Sequence, residues 1–264
     1  MAALSPVEFM KRYRTLRVHV GAEESASQAM CIPVIHGVQL KTYFMMSWKE
    51  NTDQLEDYNF ITSGGGGKSN AEWFKAHKEQ IKNAAMGKGA PHDYELALEW
   101  AIRSKKIKTP TQESIQKFCD DRLGIDCSGL VTNYLAASGK REHSNKLVRG
   151  NNAQSFYNQL LAINDPFDIK QGDLLVWMTG NRPKSSPGHI AIVESYQARS
   201  TPDGNMHVVE ATGNANANPK LLDSWYAVEA IFDKGDAKLK NPVMILQVKR
   251  HRTSGERVCV IRPM

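Results

Sequence analysis

The pattern of apolar and polar positions divides the chain near Asn164. Before it most segments read as helix, and after it short apolar runs bounded by turn residues read as strands. Residues 1–30 contain a helix candidate followed by the small, polar stretch GAEESASQ. The run CIPVIHGVQLKTYFMMSW, residues 31–48, is rich in apolar and β-branched types and suits one or two strands. Residues 53–69 read as loop. A helix is expected from Asn70 to about Met86 and a second from about His92 to Ser104, separated by Gly87-Lys88-Gly89-Ala90-Pro91. In Thr109-Pro110-Thr111-Gln112, Thr109 stands as N-cap, Pro110 at the first helical position and Gln112 at the third, a capping-box pattern. That helix should end near Asp120-Asp121. Cys127 to Ser138 reads as another, with Asp126 as its cap and Gly139 just beyond its end.

Strands are expected over Asp173–Met178, His189–Glu194 and Met206–Ala211, with Val243–Val248 and Arg257–Ile261 completing the sheet. Thr201-Pro202-Asp203-Gly204-Asn205 supplies a turn between the second and third. Helices followed by strands predict an α+β architecture in which an antiparallel sheet packs on the helix that begins at Cys127. A boundary near Lys108 separates an N-terminal, mainly helical region of unknown role (1–108) from a second domain (109–264).

Composition narrows the class without choosing a function. The 264 residues are 41% hydrophobic and 23% charged, ordinary for a globular chain. The net charge of +6 and pI of about 9.0 favour anionic partners in general. The basic clusters Lys105-Lys106 and Lys249-Arg250-His251-Arg252 are short enough to be solvated surface, so nucleic-acid binding is not expected. The four cysteines, Cys31, Cys119, Cys127 and Cys259, form neither a disulfide framework nor a pattern with zinc spacing. No metal or cofactor is expected. No apolar stretch approaches the roughly 18 residues of a membrane span. The amino terminus, MAALSPVEFMKRYRTLRV, lacks the apolar core of a signal peptide, so synthesis in the cytoplasm and delivery by another route are expected.

The candidate chemistry gathers around Cys127. A thiol at a helix N-terminus faces unpaired N–H groups and the positive end of the helix dipole, which stabilise a thiolate. The same N–H groups can serve an oxyanion. His189, opening a strand after Ser185-Ser186-Pro187-Gly188, is the candidate base, and Glu210, ending the next strand, the candidate group that orients it. His207 is the rival histidine. It should point to the opposite face from Glu210 and so read as a surface or packing residue. Asn214 and Asn216 are the reserves for the third position.

These blocks carry a resemblance. Asp126-Cys127-Ser128-Gly129-Leu130-Val131 resembles the nucleophile motif of NlpC-type cell-wall peptidases. Gln171-Gly172-Asp173-Leu174-Leu175, followed by Gly188-His189-Ile190-Ala191-Ile192-Val193, resembles that family's base-bearing block. Glu210 with Asn214 is more similar to the related CHAP amidases. The likeness covers about residues 109–212. It departs from the pattern before the cysteine, where Phe118-Cys119-Asp120-Asp121-Arg122 replaces the usual aromatic-Gly-Gly segment, and at Glu210, where a His is usual. The resemblance implies a papain-like core and a cysteine amidase or endopeptidase that cuts peptidoglycan stem peptides through a thioester. Cys127, His189 and Glu210 would be catalytic, and Asp126 and Ser128 would line the substrate cleft. It further implies an injected antibacterial toxin or a phage lysin, with an immunity protein as partner in the first case.

Two other classes compete. The same centre could serve acyl transfer or deamidation on a protein or lipid, or it could be a decayed site in a binding module. The stretch Ser63-Gly64-Gly65-Gly66-Gly67-Lys68-Ser69 is not expected to bind phosphate. GxxxxGK[ST] would need glycine where Thr62 stands, and Asp57 and Asn59 spoil the strand that should precede it. Trp177 and Met45-Met46 read as core.

Overall fold

The computed structural model describes residues 4–21, 34–44, 52–65, 67–142, 144–185, 188–198, 204–232, 243–250 and 255–264. Cys31, Met45, Met46, His251 and Arg252 lie outside them. In chain order the elements are α1 (Pro6–Tyr13), β1 (Leu16–Val20), β2 (Val34–Val38), α2 (Thr52–Thr62), α3 (Gly67–Ala85), α4 (Pro91–Arg103), α5 (Gln112–Arg122), α6 (Cys127–Ala137), α7 (Asn145–Gly150), β3 (Leu174–Thr179), β4 (Arg182–Pro183), β5 (Ile190–Ala198), β6 (Gly204–Ala211), β7 (Leu221–Phe232), β8 (Ile245–Lys249) and β9 (Glu256–Ile261). They group into two units, one of residues 11–125 and one of residues 1–10 with 126–264. The division falls directly before the Cys127 helix, and α5 belongs to the first unit.

In the first unit, β1 pairs antiparallel with β2, and α4 packs on β1. Leu16 and Val18 alternate inward while Arg17 is exposed, the period of two that a half-buried strand needs. The expected loop at 53–69 is instead α2 and the start of α3, because Ile61 is fully buried and Phe60 packs on Phe118 at a ring distance of 6.3 Å. The glycine stretch is thus preceded by a helix and not by the strand a phosphate-binding loop follows. The helix after Lys108 starts two residues later than its capping pattern suggests. Thr111 is the N-cap: its hydroxyl accepts from Ser114 N–H at 3.2 Å, and Ser114 Oγ accepts from Thr111 N–H at 2.9 Å. Ser114 also donates to the Thr109 carbonyl at 2.6 Å, which leaves Thr109 and Pro110 outside the helix.

The second unit departs from the sequence-based expectation in a more basic way. Its strands do not form the open sheet of a papain-like α+β core. The order β3-β5-β6-β7-β8-β9 is antiparallel throughout, and β3 also pairs with β9, from Leu174↔Ile261 to Trp177↔Val258. Six strands therefore close into a barrel, and β4 adds a seventh, short strand on β3. Closure leaves the six without a free lateral edge.

The physical reason is β7, a twelve-residue strand that the apolar pattern does not reveal. It carries Ser224, half-buried, on the inward register and exposed Trp225 on the outward one, so its hydrophobicity runs against its geometry. Register shifts between Val193 and Ser195 and between Val228 and Ala230 bend the wall where it must curve.

Alternation sorts the barrel's residues cleanly. Leu175, Trp177, Ala191, Val193, Met206, Val208, Tyr226, Val228, Leu246, Val248, Val258 and Val260 share one buried cluster, the interior. Each fully buried aliphatic side chain there contributes about 1.5–3 kcal/mol relative to exposure. Ile190, Ile192, Val209 and Ala211 have the opposite parity and are also fully buried, on the outer face of β5 and β6, where α6 packs. α6 is buried along all of residues 127–135. At its start Asp126 is extended and its carboxylate accepts from Gly129 N–H at 2.5 Å; at its end Gly139 takes φ +72°. α1 packs in the same unit, with Phe9 against Tyr134 at 5.8 Å and Val7 N–H on Glu194 at 2.9 Å. Among the described residues no helix is long and apolar enough to cross a membrane.

Asp126→Ala should destabilise the protein by about 1–2 kcal/mol through loss of the cap, and Asp126→Asn by less. Urea-unfolding midpoints of the three proteins read this directly.

Candidate active site

The site is assembled at one mouth of the barrel by strand ends whose inward parity runs one step past the apolar interior. His189 precedes Ala191 and Val193 on that register, and its carbonyl accepts from Trp177 N–H at 3.1 Å, which fixes it at the end of the β3–β5 ladder. Gly188 before it is a close-approach position, because a Cβ there would lie 2.8 Å from the Lys184 carbonyl oxygen. Glu210 follows Met206 and Val208 on β6 and is completely buried. His189 Nε2 and Glu210 Oε2 are 2.9 Å apart. With Nε2–H donating to the carboxylate, the base nitrogen of the neutral ring is Nδ1.

Two further side chains complete the centre, and the sequence reading did not place them there. Arg250, read as solvated surface, is buried: it continues the inward parity of Leu246 and Val248 past the end of β8. Its Nη1 donates to Glu210 Oε2 at 2.5 Å and lies 3.3 Å from both His189 Nε2 and Thr212 Oγ1. Its Nε donates to Glu256 Oε2 at 2.7 Å, and its guanidinium lies over the Trp177 ring at 4.8 Å. Tyr226, on the unforeseen β7, donates its hydroxyl to Glu210 Oε1 at 2.5 Å, and Ser224 approaches the same oxygen at 3.4 Å. The signal for Arg250 was available in the alternation Leu246-Val248-Arg250. For Tyr226 there was none without β7.

Electrostatics follow from burial and this pairing. Desolvation is the largest influence on His189 and holds it below the ordinary histidine value; Glu210 pulls the other way, while Arg250 adds to the depression and Glu256 opposes it. Burial works against the charge on Arg250, but Glu210, Tyr226 and Glu256 more than offset it and keep the guanidinium firmly protonated. Burial, then the Glu210 charge, pushes the Tyr226 phenol well up, so it remains a donor. Trp177 closes one side of the imidazole, edge-on at 4.4 Å, with its indole N–H buried and lacking a protein acceptor.

The remaining expected residues fall as follows. Cys127 is the first residue of α6 and buried, and α6 packs on β5 and β6, the strands that carry His189 and Glu210 at their ends. Asp126 and Ser128 are buried and joined to each other: Ser128 Oγ donates to Asp126 Oδ1 at 3.1 Å and lies 3.0 Å from the Asn151 carbonyl. Their visible work is to hold the helix start. Asn214 serves the loop after β6, accepting from Asn216 N–H at 2.9 Å and, through its carbonyl, from Lys220 at 2.6 Å. His207 is on the outer face, 3.1 Å from Asp223 and stacked on exposed Trp225 at 4.7 Å. The imidazole at the barrel mouth is therefore held by Glu210. Cys119 and Cys259 are both buried, and burial raises both thiols, Cys259 to about 12. Among the described residues no group of three or more His, Cys, Asp or Glu is placed to hold a metal ion.

Comparison with known proteins brings no relative to this site. The chain matches no family model, no curated protein and no solved structure.

Two measurements follow. Limiting iodoacetamide near pH 7, with adducts mapped by mass spectrometry, should label Cys127, at a helix N-terminus, ahead of Cys119 and Cys259, whose thiols burial raises with no helix start to offset it. Stability should also fall on acidification. Below pH 6.5 the unfolded chain protonates His189 while the folded site refuses the proton until its lower value is reached, so stability is lost as pH drops through that window. Urea unfolding at pH 7.5 and 5 should show wild type losing more than His189→Gln, by up to about 1.4 kcal/mol per pH unit within the window.

Proposed function

We propose that the protein is a cysteine amidase or endopeptidase that cleaves amide bonds in peptidoglycan stem peptides. The observation that carries this reading is the buried His189–Glu210 pair at 2.9 Å, at the entry of β5 and the end of β6, the strands against which the Cys127 helix packs. Nucleophile at a helix start, base and base-orienting carboxylate are the parts that acyl transfer through a thioester needs.

In the proposed reaction Cys127 Sγ attacks the amide carbonyl carbon as its proton passes to His189 Nδ1. Burial holds the imidazole below the ordinary histidine value, which favours the neutral form that takes that proton. Backbone N–H groups at the start of α6 stabilise the oxyanion. Collapse breaks the C–N bond, and the amine leaves with the proton from His189. Water, activated by the same imidazole, then hydrolyses the thioester and restores the thiol. Glu210 keeps Nε2–H in place throughout and stabilises the imidazolium when it forms.

The substrate class rests on the likeness of residues 126–131 and 188–193 to wall peptidases and on the basic charge, which suits an anionic wall. In this reading the protein acts as an injected antibacterial toxin or a lysin, and a toxin would be matched by an immunity protein.

Purified protein incubated with walls of differing stem-peptide chemistry should yield new amine and carboxyl ends within stem peptides or cross-links, with glycan strands intact. Mass spectrometry of the fragments detects them. Cys127→Ala and His189→Ala should abolish the products, and Glu210→Ala should slow their release roughly 10²-fold or more. Intact walls, with a protein or lipid modified in a Cys127-dependent way, would replace wall cleavage with acyl transfer or deamidation.

A further inference from the structure

Glu210 is an unusual partner for a catalytic histidine because it already faces a permanent cation. Its Oε2 accepts from His189 Nε2 at 2.9 Å and from Arg250 Nη1 at 2.5 Å, and the two nitrogens are 3.3 Å apart. Both carry hydrogens, so they compete for one oxygen. Oε1 is taken by the Tyr226 hydroxyl at 2.5 Å. Arg250 cannot swing away at small cost: Glu256 holds its Nε at 2.7 Å, Thr212 Oγ1 lies 3.3 Å from its Nη1, and Trp177 lies under its plane. A guanidinium stays charged at any pH the protein meets, and protonating His189 would set a second cation beside it in a buried position.

From this geometry we infer that Arg250 sets the resting state of the site: by sharing the Glu210 carboxylate with His189 it keeps the imidazole a neutral base, ready to take the proton of the attacking nucleophile. The inference rests on the reading of Cys127 and His189 as nucleophile and base. Arg250 is a positioning residue that acts through Glu210. Among the described residues the charged and titratable groups around the imidazole are Glu210 from β6, Arg250 at the end of β8 and Glu256 from β9, with Tyr226 from β7 bonded to Glu210. The depression of His189, to which Arg250 contributes, agrees with this arrangement.

The consequence is a site that works in mildly acidic surroundings. A neutral imidazole is the active form, so the acid limb of the rate profile follows the titration of His189, and Arg250 holds that limb low. Removing the guanidinium would leave the Glu210 carboxylate, still bonded to Tyr226, without its permanent cation opposite the imidazole. The ring would then protonate to balance it and would no longer accept the thiol's proton.

The test is NMR titration of the His189 ring, assigned by its loss in His189→Ala, in wild type, Arg250→Met, Arg250→Lys and both arginine variants combined with Glu210→Gln. Arg250→Met should raise the His189 midpoint by about one pH unit or more. Arg250→Lys, which keeps the charge without the fork, should fall between. The shift should shrink in the Glu210→Gln background, where the uncompensated carboxylate is gone and folding is easier to preserve. On a cleavable wall peptide the acid limb should move with the midpoint, with kcat falling more than KM changes. An unchanged midpoint in Arg250→Met overturns the inference, as it does in Arg250→Lys should the methionine variant not fold, and so does an equal shift with and without Glu210. The titration needs no substrate. If the midpoint moves while wild type cuts no wall, Arg250's role stands and the proposed substrate falls.

Discussion

The carboxylate of Glu210 is the constraint around which the second unit is organised. An ionised carboxyl with no exposure costs several kcal/mol of lost hydration unless its oxygens are filled by donors. Here Arg250, His189 and Tyr226 fill them, and each comes from a different part of the wall: the end of β8, the start of β5 and the middle of β7. Convergence from three segments onto one point requires a curved wall. An open sheet would spread these residues along a surface. Closing β3 onto β9 turns their inward parity toward a common axis.

Closure also separates two tasks along one axis. The middle of the barrel is apolar and packed, with Val193, Val208, Val228, Val248 and Val258 among its residues, and asks nothing but volume. The mouth is polar and asks for donors in fixed places. The transition occurs within a single alternation step on several strands at once: Ala191 to His189, Val208 to Glu210, Val248 to Arg250 and Val258 to Glu256. The rigid lower layers hold the ionic upper layer in register, which lets long side chains such as Arg250 act as fixed donors.

How much of this could be read beforehand depends on whether a residue's own neighbourhood announces its role. Asp126 and the Cys127 helix were legible because capping is local: a carboxylate three residues before its N–H partner is enough. His189 and Glu210 were legible from strand ends and a short motif, and the separation of His207 from Glu210 from simple parity. The barrel was not legible. It depends on pairing between β3 and β9, about eighty residues apart, and on β7, whose exposed Trp225 and inward Ser224 invert the usual pattern. Arg250 was misread for the same reason. In a short basic cluster it looks like surface, and only the length of β8 and the curvature of the wall bring it inside. The Thr111 cap shows the local limit: Thr109 was expected as the cap, and Ser114, bonded to Thr111 N–H and to the Thr109 carbonyl, moves the start two residues on.

β5 serves both surfaces of the wall. Its odd positions, His189, Ala191 and Val193, face the mouth and interior; its even positions, Ile190 and Ile192, face outward into the layer occupied by α6. One strand thus joins the His189–Glu210 pair to the helix that begins at Cys127, through residues adjacent in sequence. A register slip of one residue would expel His189 from Glu210 and drive an isoleucine into the ionic mouth, so neither error could be tolerated singly. Gly188 guards that register at its entry, because any side chain there meets the Lys184 carbonyl and would push the strand start aside. The position of His189 is therefore governed by the pairing of β5 with its neighbours. The segment before it is tied to the same ladder, since Lys184 N–H donates to the Trp177 carbonyl at 2.8 Å.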